Sequence, residues 1–267
     1  MTINAMDFRD RFIELQSGKI FSREWISPNP DPKTPIILIH DSLGCVELWR
    51  EFPVQLCERS GRNIIAYDRP GFGHSTPYSG SLTVNFISDE SEVSLPAIFN
   101  QLKLNDFIIF GHSVGGAMAV VCAGKFGDRC KAVITESAQS FVEEKTLLAI
   151  ADAKDRSLSN NRLERLAKYH GDKAEWVFKA WTETWLAPEF ASWNLKSALG
   201  CVQCPLLAIH GDRDEYGSLS QPEMICEFTA GPCDEAILLD CGHIPHRDKA
   251  NEIVELVAKF IEALPAP

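Results

Sequence analysis

Residues 106–116 combine the residue types and the spacing that most clearly suggest chemistry. They read D-F-I-I-F-G-H-S-V-G-G, an apolar run, then a G-x-S-x-G turn centred on Ser113, then small residues. A serine hydroxyl becomes an effective nucleophile when a sharp turn between a strand and a helix exposes it beside a base. Gly111 and Gly115 leave room for that turn. We therefore predict that Ser113 lies between a strand and a helix as a nucleophile.

Two later apolar runs each end in a residue that could activate this serine. P-L-L-A-I-H-G-D-R-D ends at Asp214, and A-I-L-L-D-C-G-H ends at His243. An imidazole can take the hydroxyl proton, while a carboxylate orients the imidazole and stabilises its charged form. The order serine, aspartate, histidine differs from the orders in chymotrypsin-like and subtilisin-like proteases. The three motifs together predict a triad of Ser113, Asp214 and His243.

These motifs resemble those of the α/β-hydrolase fold family in its single-domain, cap-bearing form, and the resemblance extends over nearly the whole chain. P-I-I-L-I-H-D-S-L-G resembles the family's strand and H-G-x-x-G oxyanion loop, and N-I-I-A-Y-D-R-P-G-F-G-H-S resembles its Y-D-x-R-G-x-G-x-S segment. The resemblance implies that the backbone N–H groups of Ser42 and Val114 form the oxyanion hole. One departure affects this loop, because the family's usual glycine after the histidine is Asp41 here.

Other residues could fill the same roles. Asp212 and Glu215 flank Asp214, but the family's G-x-x-D spacing from Gly211 selects Asp214. Glu136 follows a predicted strand at a place where some relatives of this fold carry their acid, and it is the less favoured alternative. His246 lies close to His243, yet only His243 has the preceding glycine. Four further histidines are interpreted as structural: His40, His74, His112 and His210. No metal and no cofactor are predicted, because no group of His, Asp and Glu has metal-ligand spacing.

The elements that must position these residues form an α/β pattern. Apolar runs alternate with helical stretches, which predicts a mostly parallel, doubly wound sheet with the α/β-hydrolase fold. Residues 12–26, around Ser17-Gly18, predict an antiparallel hairpin, and residues 247–264 predict a closing amphipathic helix. We place the hydrolase core in residues 1–140 and 200–267. The predicted strands of the main sheet are 36–39, 63–67, 107–110, 132–135, 206–210 and 236–239.

Residues 141–199 interrupt this alternation and predict an inserted helical cap. The segment holds four of the six tryptophans of the chain. Phe178, Trp181 and Trp185 have the spacing of one helix face. This face either packs the cap on the core or covers an apolar substrate pocket, and we name Trp181 and Trp185 as the pocket candidates.

Composition narrows the partners. The net charge of −11 argues against a nucleic-acid partner, since phosphate backbones attract basic surfaces. The N-terminus does not resemble a signal peptide and no run reaches the roughly 18 apolar residues of a membrane helix, so we expect a cytoplasmic protein without a membrane partner. The nine cysteines suit reduced thiols better than a disulfide framework, and a lone C-x-x-C at Cys201 and Cys204 does not predict zinc.

The predicted reaction follows from the nucleophile. Because the residue at the turn is a serine, the resemblance points away from haloalkane dehalogenases and soluble epoxide hydrolases, which attack through a carboxylate. We expect hydrolysis of a carboxylic ester of a small, apolar acyl or aromatic substrate through an acyl-enzyme. Thioester, lactone and carbon–carbon bond hydrolysis use the same triad, and some members of the fold are small-molecule receptors. The substrate's identity and the oligomeric state are not predicted.

Overall fold

Eight strands form one sheet in the computed structural model, which describes residues 6–29, 33–156 and 161–264. The strand order across the sheet is β1-β2-β4-β3-β5-β6-β7-β8. The strands are β1 (Phe8–Leu15), β2 (Gly18–Trp25), β3 (Ile36–Ile39), β4 (Ile64–Tyr67), β5 (Phe107–His112), β6 (Cys130–Glu136), β7 (Leu206–Gly211) and β8 (Cys233–Leu238).

The sheet is parallel from β4 through to β8 and antiparallel at the other edge. β1 and β2 form a hairpin, and β2 pairs antiparallel with β4. The other neighbouring pairs are parallel. This confirms the predicted fold class. The hairpin starts earlier than predicted, because Phe8 continues the ladder by pairing with Trp25 although its ring is exposed.

Eleven α-helices connect and cover the sheet in the described part of the chain, and none of them is long and apolar enough to cross a membrane. The predicted closing helix is in fact two, because Lys249 between them has a non-helical backbone. The helices are α1 (Phe52–Ser60), α2 (Phe86–Glu92), α3 (Ser94–Leu102), α4 (Val114–Phe126), α5 (Glu144–Asp155), α6 (Arg162–His170), α7 (Ala174–Trp185), α8 (Lys196–Leu199), α9 (Ser220–Phe228), α10 (Pro245–Asp248) and α11 (Ala250–Glu262).

The sheet is buried on both faces by two apolar cores. Successive residues of a strand point to opposite faces, so Ile37 and Ile109 pack in one core, whereas Leu38 and Phe110 pack in the other. The first core includes α4, and the second includes α1 and α11. Burial on both sides explains why these strands are continuous apolar runs in the sequence.

The chain reverses its direction across the sheet at β3. From β3 it moves to β4 on one side, then crosses to β5 on the other side and continues outward to β8. The loops that follow β3 and β5 therefore separate at the carboxyl edge of the sheet. Such switch points leave a crevice in which open α/β sheets bind their ligands. Ser42 lies in the first of these loops, and Ser113 follows the second strand.

The segment predicted as a cap leaves and rejoins the sheet at one place. The backbone N–H of Leu195 donates to the carbonyl of Ser140 at 2.7 Å, and Phe141 forms an isolated β-bridge with Asn194. Between these contacts the described residues form α5, α6 and α7 and short helical turns. The division into core and cap at 141–199 remains a prediction.

The prediction of reduced, mostly buried thiols fails for one pair of cysteines. Cys226 and Cys233 form a disulfide, because the end of α9 and the start of β8 bring their Cα atoms to 5.3 Å, a normal separation for this bond. The other seven cysteines are free thiols, five of them buried. Cys201 and Cys204 are not paired with each other.

Candidate active site

Ser113 occupies a strained turn between β5 and α4. Its φ of 56° and ψ of −124° are unusual for a residue with a side chain. A Cβ at Gly111 would lie 2.0 Å from the Gly115 carbonyl oxygen, and a Cβ at Gly115 would lie 2.2 Å from that of Ile39. Both glycines are therefore needed for the backbone to pack this closely, as the sequence predicts.

His243 and Asp214 lie in line with the serine. The Ser113 Oγ is 3.0 Å from His243 Nε2. The other imidazole nitrogen, Nδ1, is 2.8 Å from Asp214 Oδ2, to which its N–H donates. Asp214 is itself held in place, because its Oδ1 accepts the backbone N–H groups of Tyr216 and Gly217 at 2.7 and 3.1 Å. The structure thus brings the three predicted triad residues into hydrogen-bonding contact.

The environment shifts the pKa values of the two ionisable members of the triad in opposite directions. Burial alone raises the pKa of Asp214, but its hydrogen bond to His243, the imidazole charge and the backbone donors lower that pKa to about 2. Burial lowers the pKa of His243, and the hydrogen bond and charge of Asp214, followed by the charges of Asp41 and Glu215, raise it above its usual value. An ionised aspartate therefore favours the protonated form of the histidine.

The loop after β3 holds the peptide between Asp41 and Ser42 in one orientation. The Asp41 carbonyl oxygen accepts the Nδ1–H of His40 at 2.8 Å and the Nη2 of Arg69 at 2.7 Å. This peptide is trans, so its N–H, which belongs to Ser42, points away from its carbonyl. Ser42 lines the same cavity as Ser113. These contacts are consistent with Ser42 N–H as an oxyanion donor, which remains a prediction.

Val114, the other predicted oxyanion donor, is the first residue of α4. The first N–H groups of a helix have no carbonyl partner within that helix and carry its positive dipole end. Val114 N–H directly follows the serine. Its place at the start of a helix suits the role of oxyanion donor. That role remains a prediction.

Asp41, the departure from the family's glycine, has a clear local function. Its Oδ1 accepts the backbone N–H of Leu43 at 3.0 Å and so closes the turn. The carboxylate also packs against Gly44, where a Cβ would lie 2.5 Å from Asp41 Oδ1. The carboxylate is therefore accommodated as a turn-forming side chain.

A cavity of about 180 Å³ opens at Ser113 and His243. Trp181 and Trp185 of α7 line it together with Thr146 and Ile150 of α5. The other tryptophans of the segment 141–199 do not line this cavity, because Trp176 meets Phe72 edge to face and Trp193 stacks on Phe190 behind Trp185. The structure places both pocket candidates beside the nucleophile and leaves Phe178 outside the lining residues.

Two residues of this cavity were missed in the sequence. The side-chain amide of Gln139 lies 3.2 Å from Ser113 Oγ, and the ring of Tyr216 packs on the imidazole of His243 with centroids 4.8 Å apart. Gln139 follows the end of β6 at the same edge of the sheet as Ser113. Its position shortly after a predicted strand is the sequence signal that could have identified it.

A second cluster lies behind the triad. His246 Nδ1 is 2.5 Å from Glu136 Oε2, and His112 Nε2 donates to the carbonyl of His243 at 2.8 Å. Glu136, His112 and His246 are all buried and offer three possible metal-ligand atoms within 4.8 Å of one another. The sequence spacing did not reveal this group, because its members come from three separate parts of the chain. The Glu136 side chain bonds to His246, whereas Asp214 bonds to His243, so the structure separates the two acids considered for the triad.

Comparisons with known proteins agree with this architecture. The family described as α/β hydrolase fold matches residues 34–195. The chain is 24% identical to the Homo sapiens protein named serine hydrolase BPHL over 240 residues, which cover 85% of this chain and 79% of the relative. It is 28% identical to the Homo sapiens (Lyso)-N-acylphosphatidylethanolamine lipase over 127 residues, which cover 48% of this chain.

The lipase match covers only 36% of that protein, so the chain spans about a third of the lipase's length. Among solved structures, a serine hydrolase from the polyaromatic hydrocarbon-degrading bacterium Cycloclasticus zankles superimposes with a TM-score of 0.77 at 17% identity. That superposition covers 96% of this chain and 98% of the other. At this identity the likeness concerns the fold alone.

Proposed function

Because the chain belongs to the α/β-hydrolase fold family, we propose that it is a serine hydrolase that cleaves a carboxylic ester through an acyl-enzyme on Ser113. The observation that carries the proposal is the contact of Ser113 Oγ with His243 Nε2 at 3.0 Å, with the imidazole oriented by Asp214. A serine with this support has a base to take its proton, which an isolated buried serine lacks.

In the first half of the reaction, Ser113 Oγ attacks the ester carbonyl carbon while its proton moves to His243 Nε2. The carbonyl π electrons move onto oxygen, and the resulting oxyanion accepts the N–H groups of Ser42 and Val114. When the tetrahedral intermediate collapses, the bond to the alcohol oxygen breaks and His243 returns its proton to that oxygen. Asp214 stays ionised and stabilises the imidazolium in between.

In the second half, a water molecule gives a proton to His243 Nε2 and attacks the acyl carbon. Collapse of the second tetrahedral intermediate breaks the bond to Ser113 Oγ, which takes the proton back from His243. The carboxylic acid leaves and the free enzyme is restored. One histidine thus acts as base and then as acid in each half of the reaction.

The cavity limits the substrate. A volume of about 180 Å³ beside Trp181 and Trp185 suits a short acyl chain or a single aromatic ring. We propose that residues 141–199 act as a cap whose helices α5 and α7 form the apolar wall of this cavity. We also propose a small-molecule substrate, and the cytoplasmic location stays a prediction.

The proposal predicts that a fluorophosphonate modifies Ser113 and that Ser113→Ala abolishes both labelling and turnover. Turnover is measured with a panel of esters of increasing acyl length, together with thioester, lactone and carbon–carbon substrates. We expect short esters to turn over many times per enzyme and long acyl chains to react poorly, because the cavity is small. Repeated turnover only on another bond type would move the protein to that reaction class.

Ser137→Ala is the matched control. Ser137 is also buried and also has a positive φ, 49°, at the end of the neighbouring strand, but its Oγ has no hydrogen-bond partner among the described residues. Labelling and turnover should persist in this variant. Labelling that persists in Ser113→Ala would overturn the assignment of Ser113 as the nucleophile. A single stoichiometric burst of product on every ester and thioester, with no further turnover, would favour a small-molecule receptor.

A further inference from the structure

A second cavity, of about 370 Å³, lies beside the catalytic one and has a different chemical character. Four guanidinium side chains line it: Arg50, Arg162, Arg165 and Arg247. The carboxylate that faces them from the lining is that of Asp41, so positive charge is in excess. The whole chain has a net charge of −11, so a local cluster of arginines stands out as a site that would attract an anion.

One face of α6 supplies much of this lining. Arg162, Arg165, Leu166 and Tyr169 line the cavity, and their spacing of three, four and seven residues places them on one side of a helix. The cavity lies between this face and the loop after β3. Lys168 is on the same helix, but it is exposed and does not line the cavity.

Two of the four arginines, Arg50 and Arg162, have no carboxylate partner within ion-pair distance in the described part of the chain. Arg247 contacts Asp248 at 3.5 Å, an exposed and weak pair. Arg50 also has a positive φ of 51°, a strained backbone for a non-glycine residue. Strain of this kind clusters at ligand sites.

The two cavities share a wall. Asp41, Leu43 and Ile244 line both, so the two cavities are adjacent. An independent sign of proximity comes from Tyr216, which packs on His243. Burial raises the pKa of the Tyr216 phenol, and the charge of Arg162 opposes that rise. Arg162 is therefore electrostatically close to the catalytic cavity.

We propose that the arginine-lined cavity binds an oxyanionic group of the substrate, a carboxylate or a phosphate monoester, while the ester bond lies at Ser113. The planar guanidinium fork matches both groups with paired hydrogen bonds. The inference rests on the proposed hydrolase function. It extends that function by dividing the substrate into an apolar part beside Trp181 and Trp185 and an anionic part beside Arg50 and Arg162.

The experiment compares esters of matched size. On the acyl side, p-nitrophenyl butanoate is compared with the mono-p-nitrophenyl esters of succinate and of 3-phosphonopropanoate. On the alcohol side, phenyl acetate is compared with 4-acetoxybenzoate and 4-acetoxyphenyl phosphate. We expect one of these sets to show a higher kcat/KM for a charged ester by about tenfold or more, the lower end for hydrogen bonds to a charged group. The better charged ester identifies carboxylate or phosphate.

Three variants assign the preference to the cavity. Arg162→Gln and Arg50→Gln should each reduce the preference for the charged ester about tenfold and leave kcat/KM for the neutral ester unchanged. Lys168→Gln removes the same charge from the same helix outside the cavity, so it should change neither value. The neutral ester thus reports correct folding. A wild type without preference in both sets, or a preference that both arginine variants retain, overturns the anionic subsite.

Calorimetric titration of the wild type with succinate and with inorganic phosphate separates this inference from the hydrolase proposal. Saturable binding that Arg162→Gln weakens and Lys168→Gln does not supports the subsite even if no ester is turned over. Turnover of neutral esters without charge preference and without anion binding overturns the subsite alone. Absence of turnover on all esters together with absence of fluorophosphonate labelling overturns the hydrolase function alone.

Discussion

Two buried carboxylate–histidine pairs lie at the carboxyl edge of the sheet. They differ in the group that the imidazole contacts on the side away from its carboxylate. Asp214 holds His243 at 2.8 Å, and Glu136 holds His246 at 2.5 Å. Both carboxylates are fully buried. The free nitrogen of His243 meets Ser113 Oγ, whereas the ring of His246 packs against Trp49 with centroids 4.7 Å apart. Only the first pair has a nucleophile to activate.

The two acids also differ in how they are held. Asp214 Oδ1 accepts two backbone N–H groups in addition to its bond with the imidazole. Glu136 Oε1 has no hydrogen-bond partner among the described residues. Backbone donors favour the ionised form of a carboxylate, and this helps to keep Asp214 charged. A buried acid–histidine pair is thus a poor marker of catalysis unless the far nitrogen of the imidazole also contacts a reactive group.

The largest expected effect comes from removing one acid at a time. Asp214→Asn should lower kcat by about 10⁴, the loss observed when the orienting carboxylate of a serine protease triad is replaced by an amide. Glu136→Gln should change kcat little, because the Glu136 side chain bonds to His246, and its one bond to Ser113 is through the backbone carbonyl, which Gln keeps. Steady-state kinetics on a short ester measure both. The reverse ranking of the two variants would move the acid to Glu136.

Thermal unfolding of both variants separates a lost chemical role from a lost fold. Asn and Gln keep the shape of the acids they replace, so both variants should unfold cooperatively. Glu136→Gln is expected to lower the melting temperature and to leave activity nearly unchanged, because the hydrogen bond of His246 to a carboxylate is replaced by a bond to an amide.

A smaller loss is expected at the oxyanion loop, which contacts neither acid. Ser42→Pro removes a backbone N–H and should lower kcat about 10²-fold or more, the scale known for one oxyanion donor. Ser42→Ala keeps that N–H and should be nearly as active as the wild type. Circular dichroism shows whether Ser42→Pro folds. A folded Ser42→Pro variant with near-normal turnover would place the donor elsewhere.

The sequence predicted the sheet and the triad order well because both depend on buried, continuous elements. Runs such as 107–110 and 206–210 are apolar on both faces, so their ends are visible in the sequence. Residues that follow those ends, such as Ser113 and Asp214, must then meet at one edge of the sheet. The strand β8 was harder to predict, because it lies at the edge and its first residues are partly exposed.

Details that depend on loop packing were not visible in the sequence. Gln139 and Tyr216 reach the cavity only because the loops after β6 and β7 fold over the serine. The Cys226–Cys233 disulfide likewise depends on where α9 ends relative to β8. The choice between His243 and His246 followed from a glycine motif, but their separate partners follow from side-chain directions that no local pattern encodes.

The smallest expected effect, and the most direct electrostatic comparison of the two pairs, is a shift in pH dependence. His243 must be neutral to accept the serine proton, so kcat/KM should rise with pH through the pKa of His243 and level off above it. Because Asp214 raises that pKa, the midpoint should lie above the ordinary histidine value of about 6.5. In Asp214→Asn the main offset to burial is lost and the smaller effects of Asp41 and Glu215 remain, so the midpoint of fluorophosphonate inactivation should fall below that of the wild type. Glu136→Gln should leave the midpoint in place, since Glu136 acts on His246. A midpoint that moves with Glu136 and not with Asp214 would show that the two pairs exchange roles.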